Sequence, residues 1–194
     1  MDRKGSLVSE LAVFLSGETA AVVGVGNTDR GDDGFGPAVV SLLRQKGAGA
    51  GRREGQSLLL IDAGVRPENC LDSIGESGVR RVLFVDAAGG DDDEEGDGGC
   101  LDLLDPSQLI GTSVSTHQLP LALVAELLRT ETGAQARVLV YRVCGSGRLE
   151  RFAGLSAGAR RAVSDAAAAI RAATADALAP AALLEVGRGS IRHA

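Results

Sequence analysis

Six polar side chains stand at positions where an α/β chain gathers its chemistry. Asp29, Asp32 and Asp33 follow one short apolar run, Asp62 and Asp86 close two others, and His117 precedes a helical stretch. His117 is one of two histidines, the other being His193 near the end of the chain. Two carboxylates and an imidazole approaching from separate loops make an incomplete coordination sphere for a borderline divalent metal, with positions left open for a further ligand. Nickel, zinc and iron all suit such a donor set. Each residue also has a purely structural reading. An Asp at a strand end often caps the next helix or holds a turn, Asp32-Asp33-Gly34 suits a helix cap, and His117 can satisfy a helix start. Four such groups at four separate strand or loop ends are harder to explain as independent caps.

Other chemistries lack their residues. Gly24-Val-Gly-Asn27 begins like a dinucleotide fingerprint, but Asp29 stands where the third glycine belongs, and the clustered acids would repel a pyrophosphate. A nucleotide-binding domain is therefore the weakest reading. No Gly-Lys-Ser/Thr phosphate loop and no Gly-x-Ser-x-Gly elbow occur. Cys70, Cys100 and Cys144 match no zinc or redox spacing, and an odd number does not make a disulfide framework, so they read as reduced and structural.

The elements that must position these residues follow from periodicity. Leu7, Leu11 and Leu15 space a short amphipathic helix that ends at Gly17. Ala20 to Val25 reads as a strand covered on both faces, followed by a glycine-rich loop and a helix from Pro37 to the vicinity of Gly47. Ser57 to Ile61 predicts a second strand, residues 67–74 a short helix, and Val79 to Val85 a third strand ending at Asp86. Residues 91–97 hold six acids in seven positions and read as a solvated loop. Cys100 to Leu104 suits a brief edge strand, residues 120–130 a helix, and Arg137 to Val143 another strand. Val163, Ala167, Ile170 and Thr174 space a last long helix. Strands alternating with helices imply an α/β single domain, a twisted, mostly parallel sheet flanked by helices on both faces. Residues 1–17 are expected to form an N-terminal helical extension, 18–179 the domain itself, and 180–194 a disordered tail. In such a sheet ligands collect outside the carboxyl ends of the strands, which is where the selected acids fall.

Composition narrows the function classes. The chain has 194 residues, a net charge of −6 and 44% hydrophobic residues, enough apolar material for a core. The acidic balance argues against nucleic acid or an anionic membrane surface as partner, and one Tyr with four Phe leaves little for base stacking. No apolar run approaches the length of a membrane span, and Met1-Asp2-Arg3-Lys4 does not lead into a secretory core, so a cytoplasmic protein without membrane insertion is expected.

Taken together, Gly24-Val-Gly-Asn27, Gly31-Asp-Asp-Gly-Phe-Gly-Pro37, Ile61-Asp-Ala-Gly64 with Pro67-Glu-Asn69, Phe84-Val-Asp-Ala87 and Ser115-Thr-His-Gln-Leu-Pro-Leu121 resemble, in the same order, the nickel-iron hydrogenase maturation endopeptidases. The likeness spans residues 18–175 and is nearest to the formate-hydrogenlyase-type branch. It implies a phosphorylase/hydrolase-like fold and a cytosolic, monomeric protease. Such a protease removes a C-terminal peptide from the nickel-loaded precursor of a hydrogenase large subunit. The family's metal-contacting trio falls on Asp33, Asp86 and His117, and Asp62 corresponds to an acid used in substrate recognition or cleavage.

The resemblance further implies that nickel arrives with the precursor. It would serve as both recognition signal and electrophile, polarising the scissile carbonyl or activating a water. No serine or cysteine nucleophile is then required. The chain departs from its relatives at Asp62-Ala-Gly-Val65, in the acidic run beyond Asp86 and at Cys144-Gly-Ser146, where the branch carries Gln-Pro; substrate choice is expected to differ accordingly. The alternative from another class is a non-catalytic metallochaperone or precursor-binding module, which would need the same Asp33, Asp86 and His117.

Overall fold

The computed structural model describes residues 3–16, 19–48, 58–89, 99–109, 120–143 and 154–175. Five strands, β1 (Ala20–Val25), β2 (Leu58–Gly64), β3 (Arg81–Gly89), β4 (Cys100–Leu104) and β5 (Gln135–Val143), form one sheet in the order β2-β1-β3-β5-β4. All pairings are parallel except that of the edge strand β4 with β5. The helices are α1 (Arg3–Leu15), α2 (Phe35–Gln45), α3 (Leu71–Glu76), α4 (Leu121–Thr132) and α5 (Ala157–Ala175). The α/β architecture with a mostly parallel sheet is thus as the periodicity implies.

Alternation along each strand divides the core into two layers. Val22 of β1, Leu83 and Val85 of β3 and Leu139 of β5 face α1, α2 and α5, where Leu11, Leu15, Val40, Leu43 and Ile170 are fully buried. Val23, Phe84 and Val138 face the other way, against Ile74 of α3 and Val124 and Leu128 of α4. A parallel sheet needs both faces covered, because its crossover connections leave neither face in water. That is why β1, central and buried at all six positions, reads as an unbroken apolar run.

Several boundaries move by a few residues. Helix α2 begins at Phe35 rather than Pro37, because a 3-10 turn over Gly31–Gly34 feeds directly into it. Strands β2 and β3 continue past Asp62 and Asp86, to Gly64 and Gly89. For β3 the reason is its long partner, since pairing with β5 persists to Gly89 opposite Val143. The short helix after β2 divides into a 3-10 turn over Pro67–Cys70 and α3. Gly133, with φ +72°, closes α4 in the left-handed conformation that glycine adopts at low cost.

The sequence-selected residues His117 and Cys144, the acidic run 91–97 and the segment 180–194 lie outside the described residues. Among the described residues no helix is long and apolar enough to cross a membrane.

The first turn of α2 rests directly on the sheet. A methyl group added at Gly36 would lie 2.2 Å from the Val85 carbonyl oxygen and 2.4 Å from that of Val25. One added at Gly24 would lie 2.5 Å from the Gly36 carbonyl oxygen. Because the opposing atoms are backbone, they have little freedom to move aside. Gly36→Ala is expected to cost about 1–3 kcal/mol of stability, read from urea unfolding followed by far-UV circular dichroism; an unchanged midpoint would show that α2 can lift off at no cost.

Candidate active site

At β1 the order of the sheet reverses: the chain leaves by α2 to reach β2 on one side, then returns to place β3 on the other. In an open α/β sheet such a switch point is where a crevice forms beyond the carboxyl ends of the strands. The 3-10 turn Gly31–Gly34 borders the crevice from β1, and Asp86 borders it from β3.

Four polar or charged residues are buried among the described residues: Asp32, Asp33, Asp86 and Thr174. Three are carboxylates at this edge. Burying a carboxylate is costly unless hydrogen bonds compensate, so the partners show what each one does. Asp33 Oδ2 accepts the Asn27 N–H at 3.2 Å, which ties the turn back to the end of β1. Asp86 Oδ1 accepts the following Ala87 N–H at 2.8 Å. Asp32 points elsewhere: Oδ1 accepts the Ser156 N–H at 2.6 Å and Oδ2 accepts the Ser156 hydroxyl at 2.8 Å. Ser156 immediately precedes α5, and its Oγ also accepts the Ala159 N–H at 3.1 Å, a helix N-cap. Asp29 is exposed, with its own N–H bonded to Asn27 Oδ1.

Asp62 occupies a different position. In register it pairs with Gly24, as does Val85 from the opposite side of β1, so Asp86 lies one residue further along. Alternation then sets Asp62 on the α2 side of the sheet and Asp86 on the α3 and α4 side, because Val85 and Ala87 belong to the first core layer and Phe84 and Ala88 to the second. The two strands are separated by β1, which puts the two Cα atoms about 10 Å apart across the sheet. Asp62 is exposed, and its Oδ1 accepts the Gly64 N–H at 3.1 Å. A register shift after Gly24 pairs Val25 with Gly64, so Ala63 is an extra residue and β2 bulges next to this acid. Val65, one of the departures from the family pattern, is 39% exposed beside it. The fold therefore sets Asp33 in the turn after β1 and Asp86 in the neighbouring strand β3, just beyond the last β1 pairing, and holds Asp62 apart on the rim. Among the described residues no three acids, cysteines or histidines group closely enough to hold a metal by themselves.

The glycine loop after β1 is filled by the chain itself. A methyl group at Gly26, where φ is +134°, would fall 1.8 Å from the Asp33 carbonyl oxygen. The glycines thus make room for backbone, and the loop is packed where a phosphate cradle would be open. Cys70 is no nucleophile either. Its Sγ donates to the Pro67 carbonyl at 2.8 Å, and burial pushes the thiol up from about 9 to about 11. Ser156 is the polar residue that the sequence reading passed over. Its place before an alanine-rich helix marks it as a cap, but nothing in the sequence marks a partner 124 positions away.

Residues 37–173 match the family model described as HycI, hydrogenase maturation protease. The chain is 33% identical over 116 residues to the hydrogenase 3 maturation protease of Escherichia coli K12, covering 59% of this chain and 67% of that one. The crystal structure of a NiFe hydrogenase maturation protease, HycI, from Thermococcus kodakarensis matches with a TM-score of 0.64 at 28% identity, covering 84% of this chain and 99% of that one. The solution structure of the endopeptidase HycI from Escherichia coli shares the fold, with a TM-score of 0.61 at 24% identity over 77% of this chain and 87% of that one.

The shift at Cys70 has a measurable consequence. The folded state keeps the thiol proton, so the associated stability is fully present below pH 9 and is lost as the pH rises through about 11. At pH 8 Cys70 is expected to resist a thiol reagent such as Ellman's reagent in the native protein and to react on unfolding in urea; fast labelling of Cys70 in the native state would contradict the burial.

Proposed function

The chain belongs to the hydrogenase maturation protease family, whose members are peptidases, and from that premise we propose that it removes a C-terminal peptide from the nickel-loaded precursor of a nickel-iron hydrogenase large subunit. In this reading nickel is part of the substrate. Asp33, Asp86 and His117 contact it, and docking therefore tests whether the metal has been inserted. The observation that carries the reading is the pair of buried carboxylates, Asp33 and Asp86, flanking the sheet's switch point in a chain matched by the family over residues 37–173. Carboxylate and imidazole donors suit a borderline divalent ion.

The division of labour follows from placement. Asp33 is held by the Asn27 N–H and Asp86 by the Ala87 N–H, so both present fixed oxygens and pay little reorganisation on docking. Asp62, exposed on the rim at the β2 bulge, positions the strand to be cut or orients the attacking water. The nickel carried by the precursor supplies Lewis acidity at the scissile carbonyl. The reading places this reaction in the cytoplasm and assigns it to a monomer.

The test is cleavage of a co-expressed large-subunit precursor with and without nickel, with the mass of the released peptide measured. Nickel-dependent release is expected. Binding without release in both conditions would replace the protease reading with that of a precursor-binding metallochaperone. His117→Ala and Asp33→Asn are each expected to abolish processing while leaving the circular dichroism spectrum unchanged, because each removes a metal donor and Asp33→Asn does so at constant size. Normal cleavage by either variant would remove that residue from the trio.

A further inference from the structure

We propose that Asp32 is a positioning residue for the cleavage step: by clasping Ser156 it fixes the turn that carries Asp33. The inference rests on the proteolytic reading above. Asp32 is 1% exposed, and both of its oxygens are engaged by a single residue, Ser156, through its N–H at 2.6 Å and its hydroxyl at 2.8 Å. It therefore acts through another group and does not touch the scissile bond.

The hydrogen bonds leave little ambiguity in the clasp. Ser156 Oγ accepts the Ala159 N–H, so its single proton is directed to Asp32. The Ser156 carbonyl accepts the Arg160 N–H at 3.0 Å, which continues the link into the first turn of α5. Helix α5 is anchored in turn through Val163, Ala166 and Ile170 to the layer that contains α1 and α2. On the other side, the neighbouring Asp33 bonds to the Asn27 N–H at the end of β1. Successive carboxylates of one 3-10 turn thus grip opposite structures, one the helix layer and the other the strand end. Gly34 closes the grip: a methyl group there would lie 3.2 Å from Thr28 Cα and 3.8 Å from Leu155 Cδ2, so the turn is held between the two segments.

Ser156 presents two donors, and each is taken by a different oxygen of the Asp32 carboxylate. Asparagine keeps the size of Asp32 but replaces one carboxylate oxygen with an NH2, so Asp32→Asn exchanges a charge-assisted arm for a neutral contact and weakens the clasp. Ser156→Ala removes the hydroxyl arm from the other side, while Ser156→Thr keeps the hydroxyl and the cap.

Two readouts decide the matter. The first is amide hydrogen exchange at Asn27, whose N–H reports on Asp33, with Val23 in the core of β1 as internal reference. In Asp32→Asn and Ser156→Ala, Asn27 is expected to exchange about tenfold faster while Val23 is unchanged. The second is cleavage of the nickel-loaded precursor, where kcat is expected to fall by about tenfold to a hundredfold with KM nearly constant, and Ser156→Thr to restore it. Wild-type exchange at Asn27 in Asp32→Asn, or an unchanged kcat, would overturn the proposal. So would equal acceleration at Asn27 and Val23, which marks a general loss of stability. If the wild-type chain itself fails to cleave, the protease reading falls, and the exchange arm alone then decides whether Asp32 holds Asp33.

Discussion

The contact on which the rest of this molecule depends is between backbones. The first turn of α2 lies against the carboxyl end of β1 and against Val85 of β3 at distances that leave no space for a side chain at Gly24 or Gly36. At Gly26 the Asp33 carbonyl occupies the volume a Cβ would need. Because the approach is that close, the connection after β1 cannot swing out into solvent. It is forced into a 3-10 turn over the strand end, and the two acids of that turn enter the interior with it. Burying carboxylates is costly on its own, and here the cost is offset by hydrogen bonds to Asn27 on one side and Ser156 on the other.

The same geometry separates the acids by task. Asp33 is buried in the turn after β1 and Asp86 in the adjacent strand β3, where their orientation is set by packing and neighbouring amides. Asp62 sits beyond β1 on an edge strand, exposed and beside a bulge. A pre-oriented pair suits electrostatic work, since fixed dipoles and charges need not rearrange during reaction. A rim residue suits contact with a large partner, and the exposed Val65 next to it adds apolar surface at the same place. The neighbouring thiol takes no part, being hydrogen-bonded to Pro67 and kept protonated by burial.

Much of the fold was legible because local periodicity and burial coincide in it. β1 was readable from Ala20 to Val25 as an apolar run, since a central parallel strand has no polar face. The spacing of Leu7, Leu11 and Leu15 predicts α1 because the helix buries one stripe against α5 and the sheet. The start of α2 and the ends of β2 and β3 were less legible. They depend on a 3-10 turn held by remote contacts and on pairing with β5, and neither leaves a local signal. For the candidate site, Asp33, Asp62 and Asp86 could be selected because each follows an apolar run that is visible in the sequence; His117, selected by the same reasoning, lies outside the described residues.

By itself, then, the sequence determined the element order, the two-sided apolar strands, the family likeness and the set of acids on the carboxyl edge. All of these are properties of residue type at short spacing. Only the tertiary structure decided that Asp62 and Asp86 stand on opposite sides of the sheet, because that depends on register between strands distant in the chain. It alone showed that the glycines after β1 admit backbone rather than phosphate, since a missing Cβ has meaning only when its neighbours are known. And it alone divided the adjacent Asp32 and Asp33 between two roles, because the partner that distinguishes them is 124 residues away in the chain and within hydrogen-bonding distance in space.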